Sequence, residues 1–214
     1  MRRTFWLHRC AAAAAFALLL LPGAPASPSA AAVPGAPAPS SSAPGNSLTA
    51  ILLSAQDVVQ DPNFAGSIVL VMNNLGPAPV GIIINRPMPI SVSRYFPRLK
   101  RLARVHARMY FGGPVEFGTV WFLFRAKTAP KSAVRVCDGV YVSSDHKLLL
   151  ELLGREKPMQ GLRLFVGHAG WAPGQLQAEI EGGAWTPRRA DAESIFNARP
   201  RRPWPPPRGQ RPGT

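Results

Sequence analysis

Residues 167–185 read GHAGWAPGQLQAEIEGGAW and form the densest motif of the 214-residue chain. They follow an apolar, strand-like run at residues 162–166. The stretch predicts a glycine-flanked turn containing His168, and then a short helix that Pro173 opens and residues 182–183 close. A junction of strand, tight loop and helix leaves backbone N–H groups without helical partners. We therefore expect a small anion or a partner's carbonyl group to bind there.

Upstream of this motif, short β-branched and apolar runs predict a series of strands. The predicted strands are residues 48–53, 67–72, 80–84, 109–111, 120–124, 134–136, 140–142 and 162–166. Asn, Gly and Pro residues at 73–79 predict a turn that joins two of these strands as a hairpin. Asp138 and Gly139 predict a second, tighter hairpin.

Helical patterns are fewer than strands. Residues 145–153 carry leucines on one face, Ser144 or Asp145 can cap their start, and Gly154 ends the pattern. A last short helical piece is expected over residues 190–196. Strands outnumber helices and do not alternate with them regularly. The sequence therefore predicts an α+β fold with a mixed, largely antiparallel sheet in a single domain.

Residues 91–108 predict a helix that Pro97 breaks, with arginines recurring at nearly helical spacing. This basic stripe is the best argument for a nucleic-acid partner, yet it has no helix-turn-helix signature and no interleaved stacking aromatics. A solvated helix face explains it better, and we do not expect nucleic acid to bind.

The N-terminus has the order of a secretory signal. Residues 1–26 combine three arginines, an apolar run at 10–21 and a small-residue site at 24–26. An apolar run this short fits a cleaved signal better than an anchor across the bilayer core of about 30 Å. We expect a periplasmic or secreted protein, with the cytoplasm as the alternative if the signal is not used. A twin-arginine signal and an organelle transit peptide are alternatives that the sequence favours less.

Two further segments are too polar or too proline-rich to form a core. Residues 27–46 predict a disordered Ala/Pro/Ser spacer, residues 47–198 the folded domain, and residues 199–214 a disordered Arg/Pro tail. Of the formal charge of +14, three positive charges lie in residues 1–32 and five in the tail, which leaves +6 for the domain. The tail could therefore hold the protein near an anionic membrane or surface polymer.

Cysteines and histidines are sparse. Cys10 would leave with the signal, so Cys137 has no partner in the chain and no disulfide is expected. Isolated histidines at 106, 146 and 168 do not have metal-ligand spacing, so we predict no metal site and no cofactor. Next to Asp138, the Cys137 thiol is not activated as a nucleophile.

Four ordered motifs carry a resemblance to a known family: DPNFAGSIVLV at 61–71, GIIINRP at 81–87, FGGPV at 111–115, and the stretch at 167–185. Through these four motifs, the chain resembles the YqgE/AlgH family across its whole core. The resemblance implies an α+β domain with a barrel-like sheet and an unestablished activity. Some members of the family are labelled transcriptional regulators, so the resemblance also implies that role as one possible function.

This chain departs from the family pattern at several positions. The family's Met-Pro pair is Ala-Gln at 55–56, its Arg before the second-strand Ser is Gly66, and its Glu-His pair is Asn-Asn at 73–74. His168 stands where Tyr is common. Any chemistry that depends on those side chains elsewhere in the family could not be repeated here.

Segments that each end a predicted strand are expected to converge on one rim of the sheet. The candidate ligand-binding residues are Asn85, Arg86, Gly112, Gly113, His168, Gly170, Trp171, Gln175 and Glu179. Arg86 would supply a planar positive fork for a small anion or an acidic partner.

We predict a non-enzymatic ligand-binding or interaction module. One alternative is a hydrolase that uses Glu179, His168 or Asn85, although Ser67 lacks the second glycine of a nucleophile elbow. The other is a transcriptional regulator, if the N-terminus is not an export signal.

Overall fold

The computed structural model describes residues 50–72 and 78–200. Several predictions fall wholly or partly outside these residues: the signal at 1–26, the spacer at 27–46, positions 48–49 of the first strand, positions 73–77 of the turn, and positions 201–214 of the tail. Within the described residues, no helix is long and apolar enough to cross a bilayer.

Ten strands form one sheet. They are β1 (Ala50–Ala55), β2 (Ile68–Met72), β3 (Val80–Ile83), β4 (Pro87–Ser91), β5 (Arg108–Phe111), β6 (Val115–Arg125), β7 (Val134–Cys137), β8 (Val140–Ser143), β9 (Leu162–Gly170) and β10 (Trp185–Arg189). The main order is β10-β1-β2-β3-β9-β6-β8-β7, and β5 links β4 to β9. Only the β5–β9 pair is parallel among these strands, so the predicted mixed, largely antiparallel sheet is confirmed.

The sheet curls into a half-barrel with four helices, which confirms the α+β prediction. The helices are α1 (Val92–Tyr95), α2 (His146–Leu153), α3 (Gln175–Glu181) and α4 (Ala192–Phe196), with a 3-10 turn at Lys100–Leu102. Leu52 of β1 and Val142 of β8 share one apolar cluster with Ile195 of α4, although several strands separate them in the sheet order. Curvature of the sheet makes this shared core possible.

Alternation along the strands sends neighbouring side chains to different cores. Leu52 lies in the cluster with α4, whereas Leu53 lies in a second cluster, under α3, with Trp171 and Trp185. A third cluster places the leucines of α2 against β6, β8 and β9. Helices α2, α3 and α4 therefore each pack on a different apolar cluster of the sheet.

The start of α2 confirms the predicted cap. Asp145 is the N-cap residue, and its carboxylate accepts the backbone N–H of Leu148 at 2.7 Å. Gly154 follows the last helical residue. The broken-helix prediction for residues 91–108 holds in part: α1 and the 3-10 turn are separate short helical pieces, whereas Ser91 ends β4 and Arg108 begins β5.

Four local predictions were wrong. The segment with His168 is not a turn, because β9 continues to Gly170 and pairs with β3. Helix α3 begins at Gln175, so Pro173 precedes it. Strands β4 and β10 were not predicted, since prolines at 87, 89 and 187 mask their extended pattern. Strand β6 is longer than predicted and begins at Val115.

Candidate functional site

Residues 112–113 and 167–168, here called the glycine junction, bring two strands into unusually close backbone contact. A Cβ atom on Gly113 would lie 2.2 Å from the carbonyl carbon of His168, and one on Gly167 would lie 2.3 Å from the Gly113 oxygen. Gly112 donates its N–H to Val166 at 2.8 Å. The junction therefore requires glycine for space as well as for the positive φ at Gly113 and Gly167.

Arg86 reaches the same neighbourhood through its backbone, because its carbonyl accepts the N–H of Phe111 at 2.9 Å. Its side chain, however, is buried and directed elsewhere. The two terminal nitrogens donate to the carbonyls of Pro62 and Ala65, each at 2.8 Å. Burial lowers the pKa of the guanidinium to about 10, and the nearby Asp61 carboxylate opposes this shift. The predicted fork therefore braces the loop between β1 and β2.

Asn85 is also buried and also ties main chain together. Its Oδ1 accepts the N–H of Ile68 at 2.9 Å, and its Nδ2 donates to Gly66 at 3.1 Å and to Arg199 at 3.3 Å. The last of these bonds holds the chain just after Ala198, which itself packs against the core.

Glu179 accepts hydrogen bonds from two buried indoles. Its Oε2 receives the Nε1–H of Trp171 at 3.0 Å and that of Trp185 at 2.8 Å. Gln175 donates to Oε1 at 2.8 Å and accepts the N–H of Ala172 at 3.0 Å. We call these four side chains the tryptophan clamp. Both indoles are packed core residues.

Strand β6 bulges at the edge of the glycine junction. Val115 pairs with His168 and Val120 with Val166, so residues 116–119 lie opposite Gly167 alone. Glu116 has φ of 50°, the only positive φ of a described residue other than glycine. We call residues 115–119 the bulge. Bulges of this kind re-aim side chains, and they recur beside functional sites.

The bulge exposes apolar side chains. Phe117 is 53% exposed and Val115 is 41% exposed, and the Phe117 ring lies 5.8 Å from that of Phe111, measured between centroids. The remaining exposed large apolar residues of the described chain are Val58 and Leu150. Two of the four such residues therefore sit within this one short segment.

His168 pairs with Val115, the first residue of the bulge, and its side chain has a nitrogen without a hydrogen-bond partner. Its Nδ1 is buried without a hydrogen-bond partner and lies 3.8 Å from Oε2 of Glu116. The indole Nε1 of Trp121 is likewise buried and unpaired, and the two rings meet edge to face with centroids 5.9 Å apart. Unpaired buried polar groups cost stability, so these two nitrogens on neighbouring rings indicate a place where a ligand atom or water can bind.

The structure thus brings the predicted segments together through backbone but separates their side chains. Asn85 and Arg86 brace loops, and Trp171, Gln175 and Glu179 form the tryptophan clamp. Among these candidate residues, His168 alone has a buried side-chain polar atom without a hydrogen-bond partner. Gly170 ends β9 opposite Val80. A ligand-binding role for these residues stays a prediction.

Sequence reasoning missed Glu116, Phe117 and the orphaned nitrogen of Trp121. A signal was present, because Gly118 interrupts the apolar pattern of β6 in VEFGTVWFLFR, and glycine inside a strand often marks a bulge. Among the described residues, no group of three or more His, Cys, Asp or Glu side chains is placed to hold a metal ion.

Comparison with known proteins identifies relatives across most of the chain. Residues 51–206 match the AlgH-like family. A protein from Anaeromyxobacter sp. (strain Fw109-5), named UPF0301 protein, is 34% identical over 168 residues, which span 73% of this chain and 81% of the relative. A UPF0301 protein from Ralstonia nicotianae is 33% identical over 154 residues, spanning 70% and 80% of the two chains.

Solved structures agree with the fold. The AlgH protein from Pseudomonas aeruginosa superposes with a TM-score of 0.59 at 26% identity, covering 74% of this chain and 85% of that protein. A protein from Corynebacterium diphtheriae has a TM-score of 0.55 at 24% identity, covering 72% and 81% of the two chains, and supports the fold alone.

Proposed function

The chain belongs to the AlgH-like family, for which no activity is established, and from that premise we propose that it is a non-enzymatic binding module. The contact surface is the bulge together with His168. The observation that carries this proposal is the buried, unpaired Nδ1 of His168, whose strand pairs with the bulge that exposes Phe117. Aromatic side chains are enriched at binding surfaces, and a buried polar group without a partner is a place where a ligand atom can bind.

The other polar side chains of the predicted site support binding rather than reaction. The side chains of Arg86 and Asn85 donate hydrogen bonds to main-chain carbonyls, and the Glu179 carboxylate accepts two indole N–H groups. These hydrogen bonds make the scaffold rigid, so that it can present its loops to a ligand while the three side chains take no part in a reaction. The ligand would be a small molecule or peptide that covers Phe117 and hydrogen-bonds to His168.

One observation favours the hydrolase alternative. The carboxylate of Glu116 is close enough to His168 to orient the imidazole as a base once a substrate is bound. A hydrolase would show turnover against an ester, phosphate or glycan panel, and that turnover would disappear in His168→Phe. Binding without turnover would favour the module.

The site can be tested with a thermal-shift screen of metabolites and peptides against the chain. Ligands found there should lose at least tenfold in affinity with Phe117→Ser and with His168→Phe. The matched control is Val58→Ser, which removes another exposed apolar side chain, 65% exposed, from a different loop. Ligands that bind all three variants equally would place the site elsewhere.

We further propose that the protein acts after export. The order of basic residues, apolar run and small-residue site in residues 1–26 supports this. Intact mass and fractionation of the producing cell test it, and the expected mature chain begins near Ser27. A chain that still begins at Met1 in the cytosol would contradict export. The alternative of a transcriptional regulator would then apply.

A further inference from the structure

A basic pocket lies at the far end of β6 from the bulge. Its volume is about 620 Å³, within the range of small-molecule sites. Arg125, Lys127 and Arg155 line it together with Thr128, and Asp138 is the single acidic residue among the lining side chains. The pocket therefore has an excess of positive charge.

Arg125 makes contacts that restrict its backbone and its side chain. Its guanidinium carbon lies 5.0 Å from the centroid of the Phe196 ring, and its backbone N–H donates to Gly161 at 2.8 Å. Gly161 also packs against the stem, because a Cβ there would lie 3.1 Å from the Arg125 Cβ. A guanidinium restricted by such contacts loses less conformational entropy on binding than an unrestricted one.

The acidic groups near the pocket already have partners. Asp138 forms an ion pair with Arg135 on the same hairpin. Asp191 caps α4, accepting the backbone N–H of Ser194 at 2.8 Å and its hydroxyl at 2.6 Å. Within residues 50–72 and 78–200, no carboxylate lies within ion-pair distance of the three lining cations.

We propose that this pocket binds a phosphate-type oxyanion that carries at least two negative charges. An arginine fork matches two oxygens of such a group, while a lysine supplies a point charge from another side. The ligand is either a soluble phosphate-bearing molecule or a phospholipid headgroup, which share this chemistry. The pocket is separate from the bulge, so this inference goes beyond the function proposed above.

Calorimetry with inorganic pyrophosphate tests the proposal on the full chain at about 150 mM salt, where long-range surface charge is largely screened. The test variant is the double substitution Lys127→Ala and Arg155→Ala, both on exposed residues. The matched control is Arg94→Ala with Arg98→Ala, which removes the same charge from an exposed stretch elsewhere. We expect the test variant to lose at least tenfold in affinity and the control less than twofold.

Co-sedimentation with phosphatidylglycerol vesicles, against phosphatidylcholine vesicles, separates the two sources. Loss of vesicle binding in the test variant but not in the control would assign a lipid headgroup. Pyrophosphate binding with vesicle binding unchanged in the test variant would assign a soluble ligand. The proposal is overturned if neither probe binds, or if the test variant loses no more affinity for the probes than the control variant does. Phe117→Ser should leave both measurements unchanged, whether or not the bulge proves to be a binding surface.

Discussion

The indole N–H of Trp185 donates to Oε2 of Glu179 across 2.8 Å, linking the first residue of β10 to α3. Trp171, just after β9, donates to the same oxygen at 3.0 Å. The two rings meet nearly at right angles, 79°, with centroids 6.2 Å apart. One carboxylate therefore fixes three consecutive elements over the same apolar cluster.

Glu179→Ala should destabilise the fold by about 3 kcal/mol, because it leaves two buried indole donors without their charged acceptor. Glu179→Gln keeps one acceptor oxygen and should cost less. Urea unfolding followed by tryptophan fluorescence measures both. Glu181→Ala is the control, since Glu181 is exposed and bonds only to Gln177 among the described residues. Equal effects at 179 and 181 would show that the clamp contributes little.

Arg86→Ala should cost a similar amount, about 3 kcal/mol, because the carbonyls of Pro62 and Ala65 would lose their donors. Arg86→Lys should recover only part of this, since an ammonium cannot reproduce the planar fork. Thermal unfolding compares both with the exposed Arg104→Ala. If Arg86→Ala unfolds like wild type but loses anion binding, the anion-site prediction is right and the brace is secondary.

Much of the fold could be predicted from the sequence because apolar strand runs and helix caps are local signals. The hairpin at Asp138 and the Asp145 cap are examples. Strands β4 and β10 could not be predicted, since their prolines are tolerated only in the tertiary context of these pairings. The two segments that meet at the glycine junction were identified, because each follows the end of a predicted strand.

Side-chain partners at the candidate site were harder to predict. Arg86 gives the same local signal whether it faces a ligand or a carbonyl of its own chain, and only long-range folding decides between them. Glu116 gave no signal of its own. Its position beside His168 depends on a register shift between two strands, which no local pattern encodes.

Gly113→Ala should destabilise the protein by about 3 kcal/mol or more, because a Cβ would overlap the His168 carbonyl and φ is +152°. Gly118→Ala is the matched control, since nothing lies within 4 Å of the position its Cβ would take. Thermal unfolding of both variants makes the comparison. A tolerated Gly113→Ala would mean that β5 and β9 can separate at the junction at little cost.

Cys137 should react slowly with iodoacetamide at neutral pH. Burial raises the pKa of its thiol, and the Asp191 and Asp138 carboxylates raise it further, against the smaller effects of Arg125 and Arg135. Alkylation requires the thiolate, so a raised pKa moves the midpoint of the rate–pH profile to higher pH. Peptide-resolved mass spectrometry measures that midpoint in the folded chain and in the chain unfolded by urea.

The midpoint of the rate–pH profile reports the pKa of the thiol, whereas the absolute rate also depends on how easily iodoacetamide reaches the sulfur. Restricted access to the sulfur slows alkylation at every pH and so does not move the midpoint by itself. Asp138→Asn and Asp191→Asn should each lower the midpoint, since each removes a negative charge that disfavours the thiolate. Glu181→Gln, which makes no described contribution to the Cys137 pKa, should leave it unchanged. A folded-state midpoint at or below that of the unfolded chain would contradict the prediction and mark Cys137 as an activated thiol.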